Sequence, residues 1–195
     1  MSLYYNSSSQ TNVTTVFNTL ADIPDFWDEK TSDTLTKGDM TVTLTSTTVI
    51  SISGYGLSAS IANTQPSASY CTIGATENGL VCAFGNVATA AWYICLGIDG
   101  NSKWGGALGK LASNAITITD LIGHNCTNVS YSYGNTTASD VLTQIVDLIS
   151  QHGNFIMKDV KRVLITPQQT YRGKMQLNEG DKYVQAGCFA LKYIN

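Results

Sequence analysis

Charge is scarce in this sequence. Lys and Arg number 11, Asp and Glu 14, and together they make 13% of the chain, about half the usual share of roughly 25%. With a net charge of −3 and no basic cluster, the chain lacks the electrostatic footprint of a nucleic-acid binder. No apolar run approaches the roughly 20 residues of a membrane span. The opening MSLYYNSSSQ has no basic region followed by an apolar core, so a secretory leader is not expected and a cytoplasmic origin is. Only three prolines occur; Pro24 and Pro167 close apolar segments and Pro66 sits in a polar loop.

Catalytic vocabulary is thin as well. There are two histidines. His124, in IGHNC, lies two residues from Cys126 in a turn-like stretch. His152, ahead of Gly153, sits where a helix C-terminus would favour it. The acids Asp25, Asp28, Glu29 and Asp33, and the pair Glu179 and Asp181, fall among turn residues, where carboxylates serve solvation and local hydrogen bonds. Asp99 and Asn101, in IDGNSKW, lack the later acid of a calcium loop and read as a hairpin turn. Gly54-Tyr55-Gly56 has neither the lysine nor the helix of a phosphate loop. Five cysteines, Cys71, Cys82, Cys95, Cys126 and Cys188, include no short CxxC pair. Most stand in apolar runs such as LVCAF and YICLGI, as buried free thiols do. No catalytic, cofactor or metal residue is expected.

What fills the chain is Ser, Thr, Asn and Gly, with 43% hydrophobic residues, enough for a substantial core. Val13, Val16, Phe17 and Leu20 form one helical stripe, predicting a helix within 10–24, capped by Thr11 or Asn12 and stopped by Pro24. Phe26 and Trp27 then cover a core edge. From Met40 the texture is β: MTVTLTSTTVISIS, then LSASIA after Gly54-Tyr55-Gly56. Runs at 70–74, 79–84, 90–98, 115–119 and 129–133 follow, with turns at Asn78-Gly79 and Asp99-Gly100-Asn101. Val141, Leu142, Ile145, Leu148 and Ile149 predict a second helix over 137–150. Val160, Val163 and Ile165 return to strand. A hairpin around Asn178-Glu179-Gly180-Asp181 closes the chain, and its last strand, Phe189 to Tyr193, alternates with one face buried.

The expected fold is α+β and mainly antiparallel β, sandwich-like or barrel-like, with two flanking helices and a C-terminal hairpin. A single domain over 1–195 is expected, divided into a helical segment 10–24, a β body 40–133, a helix 137–150 and a closing β region 160–195. Ten tyrosines and three tryptophans allow a sugar-stacking surface, and Trp104, Tyr131 and Tyr133 are its candidates for carbohydrate or partner contact.

GLVCAFGN followed by ICLGIDGNSKWGGAL, the ending YRGKMQLNEGDKYVQAGCFALKY and the Asn/Ser/Thr-rich N-terminal helix together resemble small virion structural proteins of tailed bacteriophages, including prophages of gut Firmicutes. There the closing pattern Arg-Gly-Lys, a turn, Tyr and then Gly-x-Phe recurs. The resemblance covers about half the chain and rests on turns and strand patterns. It implies a non-enzymatic tail, baseplate, collar or capsid-surface component in the virion, assembled in the bacterial cytoplasm. It would bind copies of itself and other virion proteins. A carbohydrate-binding β domain that contacts a host-surface glycan is the first alternative. A hydrolase using the loop carboxylates or His124 is the second.

Overall fold

The computed structural model describes residues 2–10, 12–62, 69–86, 90–112, 115–124, 131–133, 145–149, 155–163, 172–176 and 180–194. Among them are one helix and seventeen strands in three antiparallel sheets. The central sheet holds Tyr4–Gln10 (β1), Ser69–Thr76 (β7), Gly79–Asn86 (β8), Ala90–Ile98 (β9), Trp104–Ala112 (β10), Ala115–Ile122 (β11) and Tyr131–Tyr133 (β12), in the order β1-β7-β8-β9-β10-β11-β12. A second sheet runs β2-β3-β4-β5-β6 through Glu29–Lys30 (β2), Thr34–Lys37 (β3), Met40–Ser46 (β4), Val49–Gly54 (β5) and Leu57–Ala62 (β6). The third comprises Ile145–Ile149 (β13), Ile156–Val163 (β14), Arg172–Gln176 (β15), Lys182–Ala186 (β16) and Phe189–Tyr193 (β17), in the order β13-β14-β17-β16-β15. Among the described residues all three sheets are open and none closes into a barrel.

The sheets stack as three layers because the central one is apolar on both faces. Leu80, Cys82, Phe84, Ile94, Leu96 and Leu108 point into a core shared with the second sheet and with the helix Val13–Ala21 (α1). Their neighbours Val81, Ala83, Ala91, Tyr93, Cys95 and Ala107 point into a core shared with the third sheet. A strand buried on both sides reads as a continuous apolar run, which is why GLVCAF and AAWYICLGI do not alternate. A bulge between β10 and β11 switches β11 from one core to the other: Ile118 faces the third sheet and Ile122 the second.

The face toward the third sheet is built from small residues. A Cβ added to Gly97 would meet Met157 Sδ at 2.9 Å and Val160 Cγ2 at 3.0 Å; one on Gly105 would meet Phe155 Cζ at 2.4 Å. Bulky side chains of the third sheet thus fill space left by absent ones in the central sheet, the close packing expected of an interior. Each fully buried Val, Leu, Ile or Phe there contributes about 1.5–3 kcal/mol.

Helix α1 begins where its capping residue is placed. Asn12 accepts the Thr15 amide at 2.9 Å through Oδ1, and Thr15 Oγ1 lies 3.4 Å from the Asn12 amide it accepts. Val13, Val16, Phe17 and Leu20 are all buried, as the stripe predicts. The helix ends at Ala21, short of Pro24, and is preceded by β1 rather than by a tail. No helix among the described residues is long and apolar enough to cross a membrane.

Two expectations need correcting. The segment predicted as a second helix over 137–150 contains a strand, β13, paired with β14 from Ile145↔Val163 to Ile149↔Ile156; residues 137–144 and 150 lie outside the described ones. IVDLI is too short to separate the two periods, and its branched side chains suit a pleated surface better than a helix. The closing hairpin is also larger than expected. It is a three-stranded unit, β15-β16-β17, with a turn at Gly187–Cys188; residues 177–179 of the expected tip lie outside the described ones. Its last strand lies in the middle of its sheet, between β14 and β16. Phe189, Ala190 and Leu191 are therefore all buried, instead of alternating.

Candidate functional site

Trp104 starts β10 and is only 9% exposed. It meets Phe26 edge to face at 5.7 Å, and Phe26 meets Trp27 at 4.9 Å. Lys37 lies 5.3 Å from the Trp104 ring centroid and 5.4 Å from that of Phe26, cation–π distances for both rings. Behind Trp104, a Cβ on Gly38 would sit 2.4 Å from its Cδ1, and Gly38 adopts φ +56°. The indole is thus enclosed by protein and offers no open face for a sugar ring. Tyr131 and Tyr133 occupy β12, the outer strand of the central sheet, opposite Ile118 and Ile116. The structure separates the three predicted residues: one is packed in the core and two lie on a sheet edge.

The loop acids of the N-terminal half are bound into local structure. Asp28 accepts the Gly38 amide at 2.7 Å and pairs with Lys37 at 2.8 Å. The Gly38 amide first, and the Lys37 ammonium next, hold its carboxyl below the usual carboxylate range. Asp33 accepts Thr31 and Thr34 hydroxyls at 3.0 and 3.3 Å. Asp25 stands at a left-handed position, φ 54°, and Glu29 is an exposed residue of β2. Asp99 accepts the amides of Asn101 and Lys103 at 2.8 and 2.9 Å through Oδ1, the turn-forming role expected of it. His124 is exposed and lies edge-on to Tyr55 at 5.9 Å between ring centroids. Cys126, His152 and Glu179 are outside the described residues.

The other four cysteines are buried and free. Cys71 and Cys82 sit on adjacent strands, their sulfurs 4.0 Å apart. Burial pushes the thiols of Cys95 and Cys188 well up, the opposite of what a reactive cysteine requires.

A polar network invisible in the sequence lies where the β7–β8 turn meets β14 and β17. Asn78 Nδ2 donates to Asp159 Oδ2 at 2.6 Å. Lys192 pairs with Asp181 at 2.9 Å, and Tyr183 Oη donates to the same oxygen at 3.4 Å. The bond to Asp181 raises the Lys192 pKa, and burial, then the Asp181 charge, raises that of Tyr183. Between Asn78, Asp159 and Lys192 lies a hollow of about 130 Å³, well under the roughly 300 Å³ at which small-ligand sites begin. It shares Leu3 and Glu77 with a hollow of about 490 Å³ beside Pro24, and Lys192 and Tyr193 with one of about 380 Å³ beside Gly180. Ile194, 88% exposed, borders two of them. The result is a wide, shallow and mixed surface. Asn78, Asp159 and the β16–β17 hairpin that carries Asp181 and Lys192 come from three separate parts of the chain, so no local spacing joined them.

Comparison with protein-family models, with curated proteins and with solved structures finds no match.

Proposed function

We propose that this protein is a non-enzymatic structural component of a tailed-phage particle that works by assembling with copies of itself and with other particle proteins. The observation that carries the reading is the pairing of a charge-poor β body with open sheet edges. The sheet ends include β1 and β6, strands of seven and six residues with no charged side chain. Monomeric proteins ordinarily blunt such edges with lysine, proline or a short strand. Charge-poor surface of this kind is also what subunit contacts bury.

The arrangement of the acids supports the same reading over hydrolysis. Asp28, Asp33, Asp99 and Asp181 each accept hydrogen bonds that fix a turn or a lysine, and His124 faces a tyrosine ring. The carbohydrate alternative loses its tryptophan, because Trp104 is enclosed.

Light scattering across a concentration series tests the proposal. Discrete oligomers are expected at micromolar concentration. A monomer that persists to millimolar concentration overturns it. Gene neighbours encoding terminase, portal and tail proteins would support the phage assignment specifically.

A further inference from the structure

We infer that β6 is a self-pairing edge, at which a second copy of this chain adds its own β6 antiparallel and continues the second sheet across a twofold axis. This rests on the assembly reading above and names the strand that performs it. β6 is the terminal strand of its sheet, bonded on one side only, to β5, from Val49↔Ala62 to Gly54↔Leu57. No strand among the described residues is hydrogen-bonded to its other side, and β10 and β11 of the central sheet pack against it.

The other sheet ends differ in kind. β2 consists of Glu29 and Lys30, and β12 has only three residues, Tyr131–Tyr133, the short edge that offers little ladder to a partner. β13 carries Asp147, and β15 carries Arg172 and Lys174 beside Gly173 at φ 146°. Charge and an irregular backbone are the usual protections against edge pairing. β1 is uncharged, but polar side chains fill both its faces after Tyr5: Asn6, Ser8 and Gln10 form a hydrogen-bonded ladder on one, and Ser7 meets Thr72 on the other. Pairing there would extend no apolar surface. β6 alternates cleanly. Ala59 and Ile61 are buried, Leu57 is half-buried, and Ser58, Ser60 and Ala62 are exposed.

The alternation dictates the symmetry. Two copies of one strand that pair antiparallel in a flat continuation are related by a twofold axis perpendicular to the sheet, so each face continues into the same face. Residues of equal parity then oppose one another. Leu57, Ala59 and Ile61 of both copies form one apolar strip over the core, and the serines meet on the solvent side. A one-residue slip would set serine against the core of the partner, so the pattern excludes every register of odd offset. Small hydroxyl and methyl side chains on the outer face bring no like charge to the axis.

The test uses the full chain with Ser60→Lys, an exposed position whose substitution leaves the monomer's packing intact. Circular dichroism and the melting midpoint should match the unaltered protein. Sedimentation velocity should show the dimer weakened by at least about ten-fold, since each copy brings a like charge to the axis. Amide exchange gives a second reading: protection within 57–62 in the unaltered protein should rise with concentration as dimer forms. If the unaltered protein associates, yet Ser60→Lys associates equally and 57–62 gains no protection, this edge assignment is wrong and the assembly reading survives. If the unaltered protein stays monomeric, both fail.

Discussion

Gly187 sits against the ring of Tyr93 so closely that a Cβ at its position would lie 2.0 Å from Cε1 and 2.4 Å from Cζ. The contact joins the turn between β16 and β17 to the middle of β9. Gly187 also holds φ +64°, a conformation that costs any other residue about 1 kcal/mol or more. Its carbonyl accepts the buried Gln185 side chain at 2.9 Å, and the next carbonyl, that of Cys188, accepts the Val163 amide at 2.9 Å. Gly187→Ala should therefore destabilise the fold by about 3 kcal/mol or more, combining overpacking with backbone strain. Urea unfolding measures it; a loss under about 1 kcal/mol would mean that the turn does not dock on Tyr93.

Asp28 should make stability depend on acid. Its folded pKa is lowered, below the unfolded value of about 3.9. Its contribution is therefore present above about pH 4 and disappears as pH falls through the folded pKa. The carboxylate is half exposed, 50%, so screening keeps that contribution under about 1 kcal/mol. Asp28→Asn should be slightly less stable than the unaltered protein at pH 7 and indistinguishable from it near pH 2. A difference that grows on acidification would contradict the assignment.

Trp27 anchors the end of α1. Its Nε1 donates to the Leu20 carbonyl at 2.6 Å, and both residues are buried. Trp27→Phe removes that donor while the Leu20 carbonyl keeps the Ile23 amide at 3.2 Å, a loss of about 0.5–1.5 kcal/mol. The melting midpoint reports it, and Trp27→Tyr should not restore it, since a phenol hydroxyl projects elsewhere.

Thiol reactivity offers a test without mutation. Four of the five cysteines, Cys71, Cys82, Cys95 and Cys188, are buried and free. A thiol reagent added to the native protein should modify at most one cysteine per chain, and all five after unfolding in guanidinium. Rapid native modification of two or more would show that the layers open readily.

Much of the β body is legible because its turns carry their own chemistry. Asp99 ends β9 by binding the Asn101 and Lys103 amides, and Tyr55-Gly56 reverses β5 into β6 with φ of 53° and 76°. Local hydrogen bonds and local dihedrals decide such features, and the sequence displays both. The third layer was hidden because burial on two faces is a tertiary property. It removes the alternation from β9 and from Phe189–Leu191, and with it the signal that counts layers. IVDLI fits either period, and β14 beside it made the choice. β1 carries no apolar face to mark it as a strand, since Asn6, Ser8 and Gln10 satisfy one another and Thr19 through side chains. The shallow surface around Asp159 and Lys192 is assembled from residues too distant in the chain for any motif to join.

The placement of β17 decides what holds the third sheet together. β13 and β14 make one hairpin and β15 and β16 another, and each is complete before residue 189 is reached. Neither hairpin touches the other within the sheet except through Phe189–Tyr193. Without that segment, the Val160 and Val184 side chains have no continuous layer to stand in, and the glycine-rich face of the central sheet loses its cover. A truncation before Phe189 should therefore forfeit the whole layer at once.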